Sequence, residues 1–215
     1  MSILTGPRAA ARSGEAKSLV IFLHGYGADG QDLFGLAGAL APLLPDTVFR
    51  APNAPERCAV NPMGYQWFPI SWIDGSPESA MIEGAKQASA TLSAYLDEAL
   101  EEEGLGADRL ALVGFSQGTM VGLDVALRRP APIAGMVAFS GRYMENPAPA
   151  TAKPPVLIVH GDADEVIPVK ALHEMKARLD GMGVEATAHV SRGIGHGIAP
   201  DGLRLAAEFL RRVLA

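Results

Sequence analysis

Five residues constrain this chain more than any others. Gly114-Phe115-Ser116-Gln117-Gly118 follows the apolar run Arg109-Leu110-Ala111-Leu112-Val113 and precedes a helical pattern from Thr119 to Arg129. That is a strand, a sharp turn and a helix, with a serine at the apex. Any side chain larger than hydrogen at Gly114 or Gly118 would meet neighbouring backbone in so tight a turn. The glycines let the turn form and leave the Ser116 hydroxyl exposed. A serine hydroxyl alone is a weak nucleophile, so the turn has chemical meaning only if a base and an orienting acid lie elsewhere.

Both types of residue lie downstream. The strand-like run Pro155 to Val159 leads into His160-Gly161-Asp162-Ala163-Asp164-Glu165-Val166-Ile167-Pro168, which puts an acid in a loop at a strand end. Gly193-Ile194-Gly195-His196-Gly197 then puts a histidine in a glycine-rich loop. Of the five histidines, His24 and His160 each follow a strand and precede a glycine, His173 falls in a helical pattern and His189 in a strand. Only His196 sits where a mobile base belongs, while His24 and His160 read as structural. The spacing alone leaves Asp162 and Asp164 as rivals for the acid.

The order Ser, Asp, His is that of α/β-hydrolases. Four motifs in order, His24-Gly25-Tyr26-Gly27, Gly114 to Gly118, His160-Gly161 through Asp164 to Val166-Ile167-Pro168, and Gly195-His196, resemble the phospholipase/carboxylesterase branch of that fold. This branch includes bacterial carboxylesterases and acyl-protein thioesterases. The resemblance implies an α/β-hydrolase fold and a triad of Ser116, Asp164 and His196, with Asp162 bonding within its own loop. It implies an oxyanion hole made by the backbone N–H groups of Gln117 and Tyr26. It implies no cofactor and no metal, and the chain has neither an H-E-x-x-H pattern nor paired cysteines. Acyl transfer from a small-molecule carboxylic ester is the expected chemistry. A thioesterase or lysophospholipase would use the same triad, and a non-catalytic hydrolase-fold binding protein is the rival from another class. Some relatives dimerise, so a homodimer stays open.

The rest of the chain is consistent with that fold. Leu19–Leu23 is continuously apolar, as a strand buried on both faces should be. Leu33, Leu36, Ala37, Leu40, Leu43 and Leu44 mark a helix closed by Pro45, and Thr47–Arg50 reads as a strand. Ser76 as cap and Pro77 as first residue open a long helix that ends at Glu101-Glu102-Glu103 and Gly104, the acid run being read as solvated. Strands at 133–139, 156–159 and 185–190 alternate with helices after Pro168 and from Leu203. A mainly parallel central sheet with helices on both faces follows, as one α/β domain over residues 1–215.

Residues 51–77 are rich in Pro, Gly and aromatic residues and too apolar for disorder, so they read as a loop covering the active site. Trp67, Phe68, Ile70, Trp72 and Ile73 from this loop, with Met144, Val166 and Ile167, are the candidate apolar substrate pocket. Relatives commonly have a Trp-Tyr-Asp-like run where this chain has Trp67-Phe68-Pro69-Ile70, which favours an apolar ester over a polar one. The net charge of −6 gives no footprint for nucleic acid. Arg128-Arg129 and Arg211-Arg212 read as complements to helix dipoles rather than phosphate sites. No run reaches the roughly 18 apolar residues of a membrane span, no secretory leader is evident, and the single Cys58 reads as a free structural thiol. A cytoplasmic protein is the expectation.

Overall fold

The computed structural model describes residues 4–215. Seven strands form one sheet in the order β1-β3-β2-β6-β7-β8-β9. These are β1 (Arg8–Ala9), β2 (Ser18–Leu23), β3 (Thr47–Arg50), β6 (Leu110–Phe115), β7 (Gly135–Phe139), β8 (Val156–Gly161) and β9 (Ala186–Ser191). Only β1 runs antiparallel, at the edge. The other six are parallel. A two-residue hairpin pair, β4 (Glu56–Arg57) and β5 (Tyr65–Gln66), lies apart from the sheet.

The unbroken apolar runs follow from burial on both faces. Leu19, Ile21 and Leu23 of β2 point into one core, and Val20 and Phe22 point into the other. The same alternation places Leu110 and Leu112 of β6 opposite Ala111 and Val113. Helices α3 (Glu78–Glu103), α4 (Gln117–Arg128) and α5 (Lys170–Gly181) cover the first face. Helices α1 (Gly30–Leu40) and α6 (Pro200–Val213) cover the second. In β2, β3, β7 and β8 every side chain therefore leaves water, and at about 25 cal/mol per Å² of apolar surface this is the main drive to the fold.

Some boundaries differ from those expected. Helix α1 starts after Asp29, whose side chain accepts the Asp32 N–H, and it stops at Leu40. Leu43 and Leu44 then continue as turns onto the Leu40 carbonyl rather than as helix. Helix α3 is capped by Pro77 in extended conformation, and Ser76 lies one residue too early to cap it. The Ser76 N–H is already taken by Asp74 Oδ1 at 2.9 Å. The short helix α2 (Ser71–Asp74), closed by Gly75 at φ 73°, precedes it. The three glutamates ending α3 are not simply solvated. Glu103 has a side chain only 5% exposed, and it pairs with Arg8 on β1 and Arg50 on β3.

The sheet connectivity positions the site. The chain enters β2 at the centre, moves to β3 on one side, then returns to β6 on the other. The loops after β2 and β6 thus diverge, leaving a crevice at the carboxyl ends of the strands where ligands bind in such sheets. Leu23 pairs with Gly114, so the His24–Gly27 loop lies beside the serine turn. The loops after β8 and β9 open onto the same end of the sheet.

Candidate active site

Ser116 sits between β6 and α4 with φ 53° and ψ −115°. A non-glycine residue rarely adopts positive φ, and such strain persists only where the surroundings enforce it. Here the Ser116 N–H donates to the Phe139 carbonyl at 3.0 Å. A Cβ on Gly118 would lie 2.0 Å from the Leu23 carbonyl oxygen, and one on Gly114 would lie 2.6 Å from the Thr119 Cα. Both glycines are therefore required by close backbone approach, as the motif implies.

Three side chains from three loops meet above this turn. His196 Nε2 lies 3.0 Å from Ser116 Oγ, and His196 Nδ1 lies 2.8 Å from Asp164 Oδ2. The Phe115 ring packs against the imidazole, with centroids 4.9 Å apart. Asp164 is buried, which by itself would raise its pKa. The hydrogen bond to His196 and the N–H groups of Ile167 and Val166 outweigh that effect and hold the carboxyl below its ordinary range. The two backbone donors bind Oδ1 at 2.8 and 2.9 Å, which leaves Oδ2 to the imidazole. Asp162 does not reach the imidazole. Its Oδ1 accepts the Gly193 N–H at 2.6 Å, so it bonds the loop that carries His196 rather than its own.

Gln117 opens α4, so its N–H has no carbonyl one turn earlier to bond. In the neighbouring loop the Gly27 N–H donates to the Tyr65 carbonyl. The Tyr26 N–H has no such partner among the described residues. The Tyr26 hydroxyl turns away and donates to Asp74 Oδ2 at 3.0 Å. His24 is fully buried, with Nδ1 bonded to the Gly25 carbonyl and Nε2 accepting the Ala54 N–H at 3.0 Å. Burial lowers its pKa, as befits a neutral structural imidazole.

A groove of about 670 Å³ opens beside the serine turn. Phe68, Trp72, Met81, Met120, Tyr143 and Met144 supply much of its apolar wall. Ser116, Asp164 and His196 do not line it, but Met120 lies one helical turn beyond Ser116 and its N–H bonds the Ser116 carbonyl. Of the residues expected to form a pocket, Phe68, Trp72 and Met144 lie on this wall. Trp67 is buried behind it, its indole N–H donating to the His24 carbonyl at 3.0 Å. Ile70 is buried, Ile73 and Val166 are exposed, and Ile167 accompanies the acid loop. These five are not on the groove wall.

The family model described as Phospholipase/Carboxylesterase matches residues 5–214. The chain belongs to that family. The crystal structure of esterase PE8 is similar, with a TM-score of 0.93 at 45% identity, covering 98% of this chain and 99% of that one. The acyl-protein thioesterase 1 of Eremothecium gossypii is 31% identical, over 98% of this chain and 94% of that protein. Esterase YpfH of Escherichia coli strain K12 is 27% identical, over 91% of this chain and 83% of that protein.

Two residues of this phospholipase/carboxylesterase site escaped sequence reasoning. The Gln117 side chain spans to the covering loop: its Oε1 accepts the Trp67 N–H at 2.9 Å and its Nε2 donates to the Phe68 carbonyl at 2.7 Å. Nothing local to Gln117 signals backbone partners some fifty residues earlier. Asp74 accepts from the Ile70 N–H, the Ser76 N–H and the Tyr26 hydroxyl, so it fastens α2 to the loop after β2. The Asp74-Gly75 pair was a readable turn signal for the local half of that role.

Proposed function

We propose that this protein is a serine carboxylesterase acting on carboxylic esters with an apolar acyl or alcohol part, through an acyl-enzyme. The observation that carries the reading is the unbroken chain Ser116 Oγ, His196 Nε2, His196 Nδ1, Asp164 Oδ2, at 3.0 and 2.8 Å. Ser116 Oγ attacks the acyl carbonyl, and its proton passes to His196 Nε2. Asp164 holds the proton on Nδ1, so Nε2 presents its lone pair, and its charge stabilises the imidazolium that forms. The Tyr26 and Gln117 N–H groups receive the oxyanion, a contribution worth roughly 3 kcal/mol for each donor in comparable sites. His196 returns the proton to the leaving alkoxide. A water then gives a proton to His196 and attacks the acyl-enzyme, and His196 passes that proton to Ser116 Oγ as the bond to the acyl carbon breaks and the acid leaves. The groove beside Met120 offers an apolar wall of Phe68, Trp72, Met81 and Met144 for the chain of the substrate, with charged residues such as Arg142, Glu145 and Arg178 also lining it. Membership of the esterase family and similarity to esterase PE8 support the same reading.

A thioesterase is the second reading, favoured by the similarity to acyl-protein thioesterase 1. The acyl-enzyme step is shared, so matched acyl thioesters and oxygen esters separate the two by kcat/KM. Hydrolysis of p-nitrophenyl esters from acetate to dodecanoate by wild type and Ser116→Ala tests the main proposal. Turnover that Ser116→Ala abolishes is expected, with an optimum chain length that measures the groove. A folded wild type inert to the whole series and to serine-directed phosphonates would sink it in favour of a non-catalytic binding protein.

A further inference from the structure

The reaction uses one histidine against Asp164, but a second one touches it. His160 stands near the end of β8 with its side chain fully buried. Its Nε2 lies 2.7 Å from the Ile167 carbonyl and 3.2 Å from Asp164 Oδ2. That Oδ2 is the same oxygen that faces His196 Nδ1. His160 Nδ1 is buried and has no partner among the described residues. A neutral imidazole carries one N–H, and here only Nε2 faces acceptors, so the proton belongs on Nε2. From there it is donated to the Ile167 carbonyl, and the Asp164 carboxylate stands 3.2 Å from the same nitrogen.

We propose that His160 is a positioning residue for the reaction, fixing the rotation of the Asp164 carboxylate so that Oδ2 faces His196. This rests on the esterase reading above. The Val166 and Ile167 N–H groups hold only Oδ1, and a carboxylate held at one oxygen can pivot about it. His196 is a poor reference for Oδ2, because its loop contains Gly193, Gly195 and Gly197. His160 is a good one, because it sits on a strand paired on both sides. The contacts close into a ring: Ile167 N–H to Asp164 Oδ1, Ile167 carbonyl to His160, His160 to Asp164 Oδ2. The ring ties the acid to the sheet independently of the base.

The test compares wild type, His160→Leu, His160→Asn and His160→Gln on p-nitrophenyl butyrate. Active fraction is set by phosphonate titration, and thermal melts are recorded alongside. Leu removes the donor and Asn falls short of it, so the hold on Ile167 and the polar edge against Oδ2 are lost together, and kcat should fall at least about tenfold in each. KM should stay within about twofold, because substrate contacts are untouched. Gln restores an N–H near the Nε2 position and should recover kcat to within about threefold of wild type. Should Leu fail to fold, the Asn and Gln pair carries the same contrast. Two results overturn the inference while leaving the esterase intact: kcat retained in Leu or Asn with only a lowered melting point, or Gln falling as far as Asn. An inert wild type overturns the esterase reading itself, and this inference with it.

Discussion

Gln117 serves the site with its backbone and its side chain. Its N–H is proposed to receive the oxyanion, while its amide group satisfies the backbone of Trp67 and Phe68, both buried. Gln117→Ala leaves a buried N–H and a buried carbonyl unpaired, which should cost on the order of 2 kcal/mol or more by urea denaturation. Because the backbone N–H proposed to hold the oxyanion survives that change, kcat should fall far less than in a variant of Ser116, Asp164 or His196. Asp164→Asn is the contrasting case. It keeps the shape but lets the amide N–H face the imidazole, favouring the wrong tautomer, so kcat should drop by about 10³ to 10⁴ in steady-state assays. A drop of less than about tenfold would mean that another group orients His196.

Helix α2 has only four residues, too few to be stable by itself. Asp74 holds it through three hydrogen bonds, and Trp72 on the same turn forms part of the groove wall. Burial opposes the charge on Asp74, but bonds from Ser76, Ile70 and Tyr26 overcome it and hold its pKa at about 2, below the ordinary 3.8. A depressed pKa means that the stabilisation is full above the ordinary value and is lost as pH falls toward about 2. Of the two tryptophans, Trp67 is buried and Trp72 is 62% exposed, so acrylamide quenching reports mainly on Trp72. Asp74→Ala should raise quenching at neutral pH to the level that wild type reaches only in this acid range. Equal quenching in the two proteins at neutral pH would show that packing, not Asp74, holds α2.

Across the whole molecule, Arg50 and Glu103 join the sheet edge to the far end of α3. Arg8 from β1 pairs with the same glutamate, and Arg50 also reaches Glu102. The hydrogen bond from Arg8, followed by those from Arg50, keeps the Glu103 carboxyl below its ordinary range against the effect of burial. This explains how Glu102 and Glu103 can end a helix whose carboxyl terminus should repel them. Arg50→Met leaves Glu103 buried with only Arg8, and should lower unfolding free energy by about 3 kcal/mol in urea. Activity at 25 °C should be unchanged, because the cluster lies away from the triad. A loss below about 0.5 kcal/mol would make the cluster an ordinary surface pair.

What could be read from the chain alone was whatever is encoded in local patterns. Continuous apolar runs marked the buried strands, because both faces of each strand leave water. The glycines of the serine turn marked the elbow, because only glycine fits where backbones nearly touch. The order serine, acid, histidine marked the three loops that meet, because each follows its own strand, but the choice of Asp164 over Asp162 came from the family resemblance and not from spacing. What depends on atoms distant in sequence was not readable. The two-residue strands β1, β4 and β5 have no periodicity to detect. The partners of Gln117, Asp162, Glu103 and His160 lie on other elements or in irregular loops, and which apolar residues face the groove rather than the core depends on how the 51–77 loop lies over α4. Trp67 and Phe68 are adjacent and both aromatic, yet one lies behind the groove and the other on its wall. Composition treats such neighbours alike; only packing, which gives each side chain one direction, separates them.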